Sequence, residues 1–213
     1  MSRLKEFTTQ NARPLPVILL ADVSGSMSSD GKIQALNHAV KEMIEAFKDE
    51  ADLRAEVNVA VITFGEEARL HMPLTPARTA TWTDLGAKGN TPMGAAFELA
   101  RAMVEDKQVI PGRAYRPTIV LISDGQPNDE WKPRLEALLG SDRGGKAFRM
   151  AMAIGGDADQ EVLKAFLANS EESVRTGNDA RQIREFFQFV TMSVSTRSRS
   201  ANPNATPTGG WDL

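Results

Sequence analysis

Four stretches of the chain are apolar at nearly every position: PVILLADV (16–23), EVNVAVITF (56–64), RPTIVLISDG (116–125) and KAFRMAMAIG (146–155). A strand with one wet face alternates, whereas a strand covered on both faces does not. These runs therefore predict buried parallel strands. Between them the period lengthens to that of a helix. From Lys32 to Glu50 the apolar residues Ile33, Leu36, Val40, Ile44 and Phe47 recur on one face, with Asp30 as a cap ahead of them. Pro92–Glu105, with proline in its first turn, Trp131–Leu139, Asp159–Ala168 and Asp179–Val194 are further helical segments. Alternating strand and helix predicts an α/β fold, doubly wound, with a mostly parallel central sheet and helices on both faces. One segment departs from the alternation. ARLHMPLT (68–75) follows a strand-like run through the short turn FGEEA, which predicts one antiparallel edge strand.

Composition changes after Ser195 to Ser, Arg, Asn, Pro, Thr and Gly. The expected organisation is an N-terminal extension (1–13), one folded domain (14–194) and a flexible tail (195–213) with few large apolar groups apart from Trp211. A length of 213 residues suffices for one sizeable core. The net charge of −3 argues against a nucleic-acid partner. The lack of cysteine excludes disulfides and thiolate metal sites and suits a reducing compartment. Residues Met1–Asn11 hold no apolar signal region, and no apolar run nears the roughly 20 residues of a membrane helix. The expectation is a soluble cytoplasmic protein with no membrane contact.

The first apolar run ends abruptly in LLADVSGSMSSDG (19–31), which places Asp22, Ser24 and Ser26 at alternate positions. Ligands of open α/β sheets bind at the carboxyl ends of strands. Asp22 stands at one such end and Asp124, in LISDGQP, at another; Thr91, in AKGNTPMG, opens a helix. Taken alone, a Ser/Asp/Gly cluster after a strand is a turn and a helix cap. With Thr91 and Asp124 on two further loops, it reads as half of an oxygen-lined cup for a hard divalent cation. Gly25 permits a tight turn between the two hydroxyls.

Other polar residues carry less. His38 and His71 have no ligand-type neighbour at suitable spacing and read as structural or solvated. Asp157 and Asp159 read as loop and cap, and Lys41, Glu42 and Glu45 as a solvated helix face. Asn128–Trp131 fits either a helix cap with local packing or a contact at the rim of a binding site; both readings stand.

The three-part pattern resembles the metal-ion-dependent adhesion site of the von Willebrand factor type A domain. DVSGS matches its D-x-S-x-S motif, Thr91 in GNTPMGAAF its threonine, and Asp124 its second aspartate. The likeness spans about Pro14–Val194. LISDGQPNDEW further resembles the TerY-type bacterial A-domain proteins of tellurite-resistance loci. The resemblance implies that Ser24, Ser26 and Thr91 bind Mg²⁺ (or Mn²⁺) directly in an open form. Asp22 and Asp124 would act through waters, one of them coordinating directly in a closed form. It also implies a protein partner that offers an Asp or Glu carboxylate to the metal. In TerY-type systems the implied partners are a Ser/Thr protein kinase and a metal-dependent protein phosphatase, in stress response or defence. The expected function is thus a binding module and not an enzyme. The alternative is a Mg²⁺-dependent phosphohydrolase with Asp22 as nucleophile. Against it, Ser24 stands where haloacid-dehalogenase-type phosphatases place a second Asp. No lysine and acidic pair completes that pattern, and no G-x-S-x-G elbow is present.

Overall fold

The computed structural model describes residues 12–49, 55–168 and 172–205. Within them six strands form one sheet: β1 (Arg13–Asp22), β2 (Ala55–Phe64), β3 (Ala68–Pro76), β4 (Thr118–Ser123), β5 (Phe148–Ile154) and β6 (Arg175–Gly177). Their spatial order is β3-β2-β1-β4-β5-β6. All neighbours are parallel except β2 and β3, which pair antiparallel from Phe64–Ala68 to Asn58–Pro76. ARLHMPLT is therefore the antiparallel edge strand that its turn suggested.

Among the described residues five α-helices cover the sheet: α1 (Lys32–Lys48), α2 (Met93–Glu105), α3 (Trp131–Leu139), α4 (Gln160–Leu167) and α5 (Ala180–Arg199). The central strand shows why its sequence is apolar throughout. Leu15, Val17, Leu19 and Ala21 join the core under α1 and α5, while Ile18 and Leu20 join the core under α2, α3 and α4. Both faces are dry, so neither parity can be polar. From β1 the chain winds outward to β2 and β3, then returns by α2 to β4 on the opposite side of β1. The strand order reverses between β1 and β4. Diverging connections there leave a crevice at the strands' carboxyl ends, where open α/β sheets bind ligands.

Two expectations need correction. Ser195 does not begin a flexible tail. Helix α5 continues to Arg199, Arg197 is only 2% exposed, and Asn204 accepts a hydrogen bond from the Arg116 backbone. Polar composition misled because the segment is held by hydrogen bonds and stacking rather than by an apolar stripe. Asp30 does not cap α1: it lies at φ +54°, the N-cap is Gly31 at φ +71°, and no side chain caps that end. β6 was not anticipated, being three residues long with no apolar run. The remainder of the proposed tail (206–213, with Trp211) and nearly all of the proposed N-terminal extension (1–11) lie outside the described residues. Among the described residues no helix is long and apolar enough to cross a membrane.

Candidate functional site

The five oxygen-bearing residues singled out in the sequence meet at the β1/β4 crevice. Asp22 ends β1 and is fully buried. One carboxylate oxygen, Oδ1, accepts the Ser24 backbone N–H at 2.8 Å; the other, Oδ2, accepts the Ser123 hydroxyl at 2.5 Å. Ser24 and Ser26 flank Gly25, where the chain turns into a short 3₁₀ segment (Gly25–Ser28), and their hydroxyls share a hydrogen bond of 3.0 Å. The Ser26 hydroxyl also donates to Asp124 Oδ1 at 2.6 Å. Asp124 follows β4 and is buried, as is Thr91. The Thr91 hydroxyl reaches the same point from the third loop: a Cβ on Gly125 would lie 3.4 Å from Thr91 Oγ1 and 3.9 Å from Ser26 Oγ. Ser26 is the exposed member, so the cluster opens to solvent on its side.

The third loop is held in place by backbone contacts. Gly25 N–H donates to the Gly89 carbonyl at 2.9 Å, and Lys88 N–H donates to the Val23 carbonyl at 2.7 Å. Gly89 sits at φ +89°, and a Cβ there would lie 2.5 Å from the Glu66 backbone nitrogen. Only glycine satisfies both that conformation and that approach. From Gly89 the chain runs two residues to Thr91, so the glycine sets where the hydroxyl arrives.

Asn128 and Asp129, for which the sequence left a cap for the following helix and a rim contact both open, act on the start of the preceding helix. Asn128 Oδ1 accepts the Thr91 N–H at 3.1 Å, and Asn128 N–H donates to the Thr91 carbonyl at 3.1 Å. Asp129 accepts from Gly94 N–H and Ala95 N–H at 2.8 and 2.9 Å, capping α2 across space. Arg134 pairs with the same carboxylate at 2.8 Å. Trp131 packs half-buried against the core under α2. Asp159, by contrast, caps its own helix α4, as its sequence position suggested. His38 pairs with Glu42, and His71 contacts Trp82 and the Thr83 carbonyl, so neither joins the crevice.

Two residues of the crevice escaped the sequence reading. Ser123 was hidden inside an apolar strand, and its position next to Asp124 was the available signal. Lys32, the first residue of α1, pairs with Asp124 Oδ2 at 2.8 Å; nothing in its spacing pointed there.

Burial pushes the Asp22 carboxyl up to about 6, and the nearby Asp124 adds to the rise; hydrogen bonds from Ser123 and Ser24 oppose it. The crevice therefore holds an under-compensated buried carboxylate among hydroxyls. Among the described residues, no group of three or more His, Cys, Asp or Glu side chains is placed to hold a metal ion. The donors are hard oxygens throughout, two carboxylates among them. That set fits a cation of the Mg²⁺ class, which takes few carboxylates and keeps waters, and does not fit a thiophilic metal.

The fold and crevice define a doubly wound α/β domain with an oxygen-lined cluster at its switch point. A family model described as the von Willebrand factor type A domain matches residues 17–126, from β1 to just past Asp124. The chain belongs to that family, a family of metal-dependent adhesion and interaction domains that generally act as interaction modules. The chain is similar to the uncharacterized protein YfbK of Escherichia coli (strain K12), at 30% identity over 117 residues, covering 53% of this chain and 19% of YfbK. It thus spans about a fifth of the length of the curated relative it matches. Among solved structures, a von Willebrand factor type A protein from Catenulispora acidiphila aligns at 20% identity and TM-score 0.68, over 85% of this chain and 43% of that one. Proximal thread matrix protein 1 from the mussel byssus, solved with a zinc-occupied MIDAS motif, aligns at 16% identity and TM-score 0.62, over 85% and 48%. BatB from Bacteroides thetaiotaomicron aligns at 14% identity and TM-score 0.61, over 87% and 100%.

Proposed function

We propose that the crevice is a metal-ion-dependent adhesion site through which this domain binds an acidic residue of a protein partner. One observation carries the reading: three loops bring Ser24, Ser26, Thr91, Asp22 and Asp124 together at the switch point between β1 and β4. The Ser24, Ser26 and Thr91 hydroxyls would hold Mg²⁺ or Mn²⁺, with Asp22 and Asp124 supplying negative charge around it. A bound divalent cation supplies a Lewis-acidic position for a carboxylate oxygen. The chain contributes the rest: buried carboxylates balance the ion, and the exposed Ser26 side gives a partner access.

The resemblance of LISDGQPNDEW to TerY-type proteins supports a Ser/Thr kinase and a metal-dependent phosphatase as the first partners to assay. It supports a cytoplasmic stress or defence setting for them, as does the cysteine-free composition. Hydrolysis through Asp22 finds no support, because the carboxylate is fully buried and both its oxygens are already engaged. The test is calorimetric titration of the protein and of Ser24→Ala/Ser26→Ala with MgCl₂ and with MnCl₂. The expected outcome is binding by the parent and none by a double variant with a native circular-dichroism spectrum. Equal affinities in the two would overturn the site.

A further inference from the structure

Lys32 stands where a lysine does a helix no good. It opens α1, whose first turn holds no acidic residue. A cation there meets the positive end of the helix dipole, which is mildly destabilising. Its local geometry explains the placement. Asp30 and Gly31 both adopt left-handed backbone, at φ +54° and +71°, and the helix begins immediately afterwards. Side chains of a helix lean toward its N-terminus, so the first residue reaches back over the strand ends. The ammonium lies 2.8 Å from Asp124 Oδ2, with 17% of the lysine side chain exposed and none of the aspartate's. It also passes 3.6 Å from where a Cβ on Gly155 would lie, at the carboxyl end of β5. Asp124's other oxygen takes the Ser26 hydroxyl, so both of its oxygens are engaged.

We propose that Lys32 is a tethered cation that sets how tightly the crevice takes a divalent metal. The inference rests on the metal reading above and deepens it. The cluster holds two carboxylates and one ammonium, which pairs with Asp124, so its formal charge is half of what Asp22 and Asp124 would give alone. A divalent ion entering the cluster is repelled by the ammonium and competes with it for Asp124. The lysine therefore weakens metal binding in the free domain. It also leaves the loaded site with surplus positive charge, which an incoming partner carboxylate neutralises. Metal and acidic partner are thereby made to depend on each other, a coupling that works in both directions.

The test uses Lys32→Met, Lys32→Gln and Lys32→Arg, with MnCl₂ alone as the calorimetric probe at low ionic strength and with thermal melts in EDTA and in MnCl₂. Removing a like charge at this range should tighten Mn²⁺ binding about tenfold or more in both neutral variants. Arginine should stay within about threefold of the parent, because it keeps the charge but not the shape. In EDTA the neutral variants should melt below the parent, since Asp124 loses its counter-ion, and they should gain more from MnCl₂. A folded Lys32→Gln with unchanged or weaker Mn²⁺ affinity would overturn the role of Lys32 and leave the metal site standing. If neither the parent nor any variant binds Mn²⁺, the metal reading falls and this inference falls with it.

Discussion

One sheet buries charge at both of its ends, with opposite sign and to opposite purpose. At the carboxyl ends it buries Asp22 and Asp124; at the amino ends it buries Arg149 and Arg197, with Arg116 beside them. The guanidiniums are satisfied mainly by backbone carbonyls. Arg149 donates to the carbonyls of Gly144, Gly145, Ala147 and Leu167, closing the turn before β5. Arg197 donates to Thr118 Oγ1, the Arg116 carbonyl and the Pro203 carbonyl, and Arg116 to the carbonyls of Lys146 and Asn204. Arg116 and Arg197 stack on the Phe148 ring, at 4.3 and 3.9 Å from its centroid. Burial pushes Arg197 down to about 9, with Arg116 adding to the fall, which still leaves it charged at neutral pH. Carbonyls held in a main chain cannot leave, so this end is fixed. At the other end Asp22 accepts one backbone N–H, from Ser24, and the remaining partners are side chains: the Ser123 hydroxyl for Asp22, and the Ser26 hydroxyl and Lys32 ammonium for Asp124. Those side-chain bonds can be exchanged for a cation without moving the backbone. Buried charge alone does not mark a site; what satisfies it does.

The comparison is broken most severely from the amino end. Arg197→Ala should cost about 3 to 4 kcal/mol, because it strands two carbonyls and a hydroxyl and removes the stack on Phe148. Truncation after Ser195 should do the same. Urea melts check the size, and Mn²⁺ affinity of the folded fraction should stay within about twofold of the parent, since the crevice lies at the opposite end.

A substitution at the carboxyl end should move stability the other way. The Asp22 carboxyl ionises less readily in the fold than in the unfolded chain, so the fold binds more protons between about pH 4 and pH 6. In chelating buffer, stability from this group therefore rises as pH falls through about 6 and levels off below about 4, a span of roughly 3 kcal/mol. Asp22→Asn should flatten that slope and, at pH 7 in EDTA, melt above the parent, while losing metal binding. Urea melts at pH 4.5 and pH 7 for both proteins decide it: parallel slopes would mean that Asp22 is not the group responsible.

The placement of Thr91 can be disturbed without touching its hydroxyl. Gly89→Ala adds a Cβ 2.5 Å from the Glu66 nitrogen at φ +89°. It should cost about 2 kcal/mol and weaken Mn²⁺ binding as well, because the loop that delivers Thr91 must shift. Unchanged calorimetry would show that the loop adapts.

The two ends were not equally legible in the sequence. The strands β1, β2, β4 and β5 stood out because two-sided burial makes a strand apolar throughout. The clustering of Asp22, Ser24, Ser26, Thr91 and Asp124 stood out because strand ends mark where loops converge. The arginine end was invisible. Ser195–Arg199 and the residues after it carry no apolar stripe, and their order comes from Arg197 meeting Thr118 and Arg116 about 80 residues away in sequence. Lys32 was missed, and the partner of Asp129 was not foreseen, for the same reason: Asp124 and the start of α2 are their neighbours only in space. Periodicity and local motifs report on what a segment buries and how it turns. They do not report a polar pairing between two loops.

The smallest effect is the sharpest test of whether the carboxyl end works as a unit. Asp129 and Asp179 are both caps: Asp129 accepts two N–H groups at the start of α2, and Asp179 accepts Gln182 N–H at the start of α5. Replacing either by alanine should cost about 1 kcal/mol, the usual worth of a cap. Their consequences for the crevice should differ. Asp129 reaches α2 from the loop after β4, next to Asn128, which grips both backbone groups of Thr91. Without that cap the start of α2 loosens, and Thr91, two residues ahead of it, loosens too. Asp179 serves only its own helix, beside the edge strand β6. Asp129→Ala should therefore weaken Mn²⁺ binding by a factor of about ten, as loss of a supporting contact does at metal sites. Asp179→Ala should leave it unchanged. Calorimetry on the pair, at matched loss of melting temperature, separates a crevice held by its loops from one that merely follows global stability. Equal losses of affinity in the two variants would favour the second.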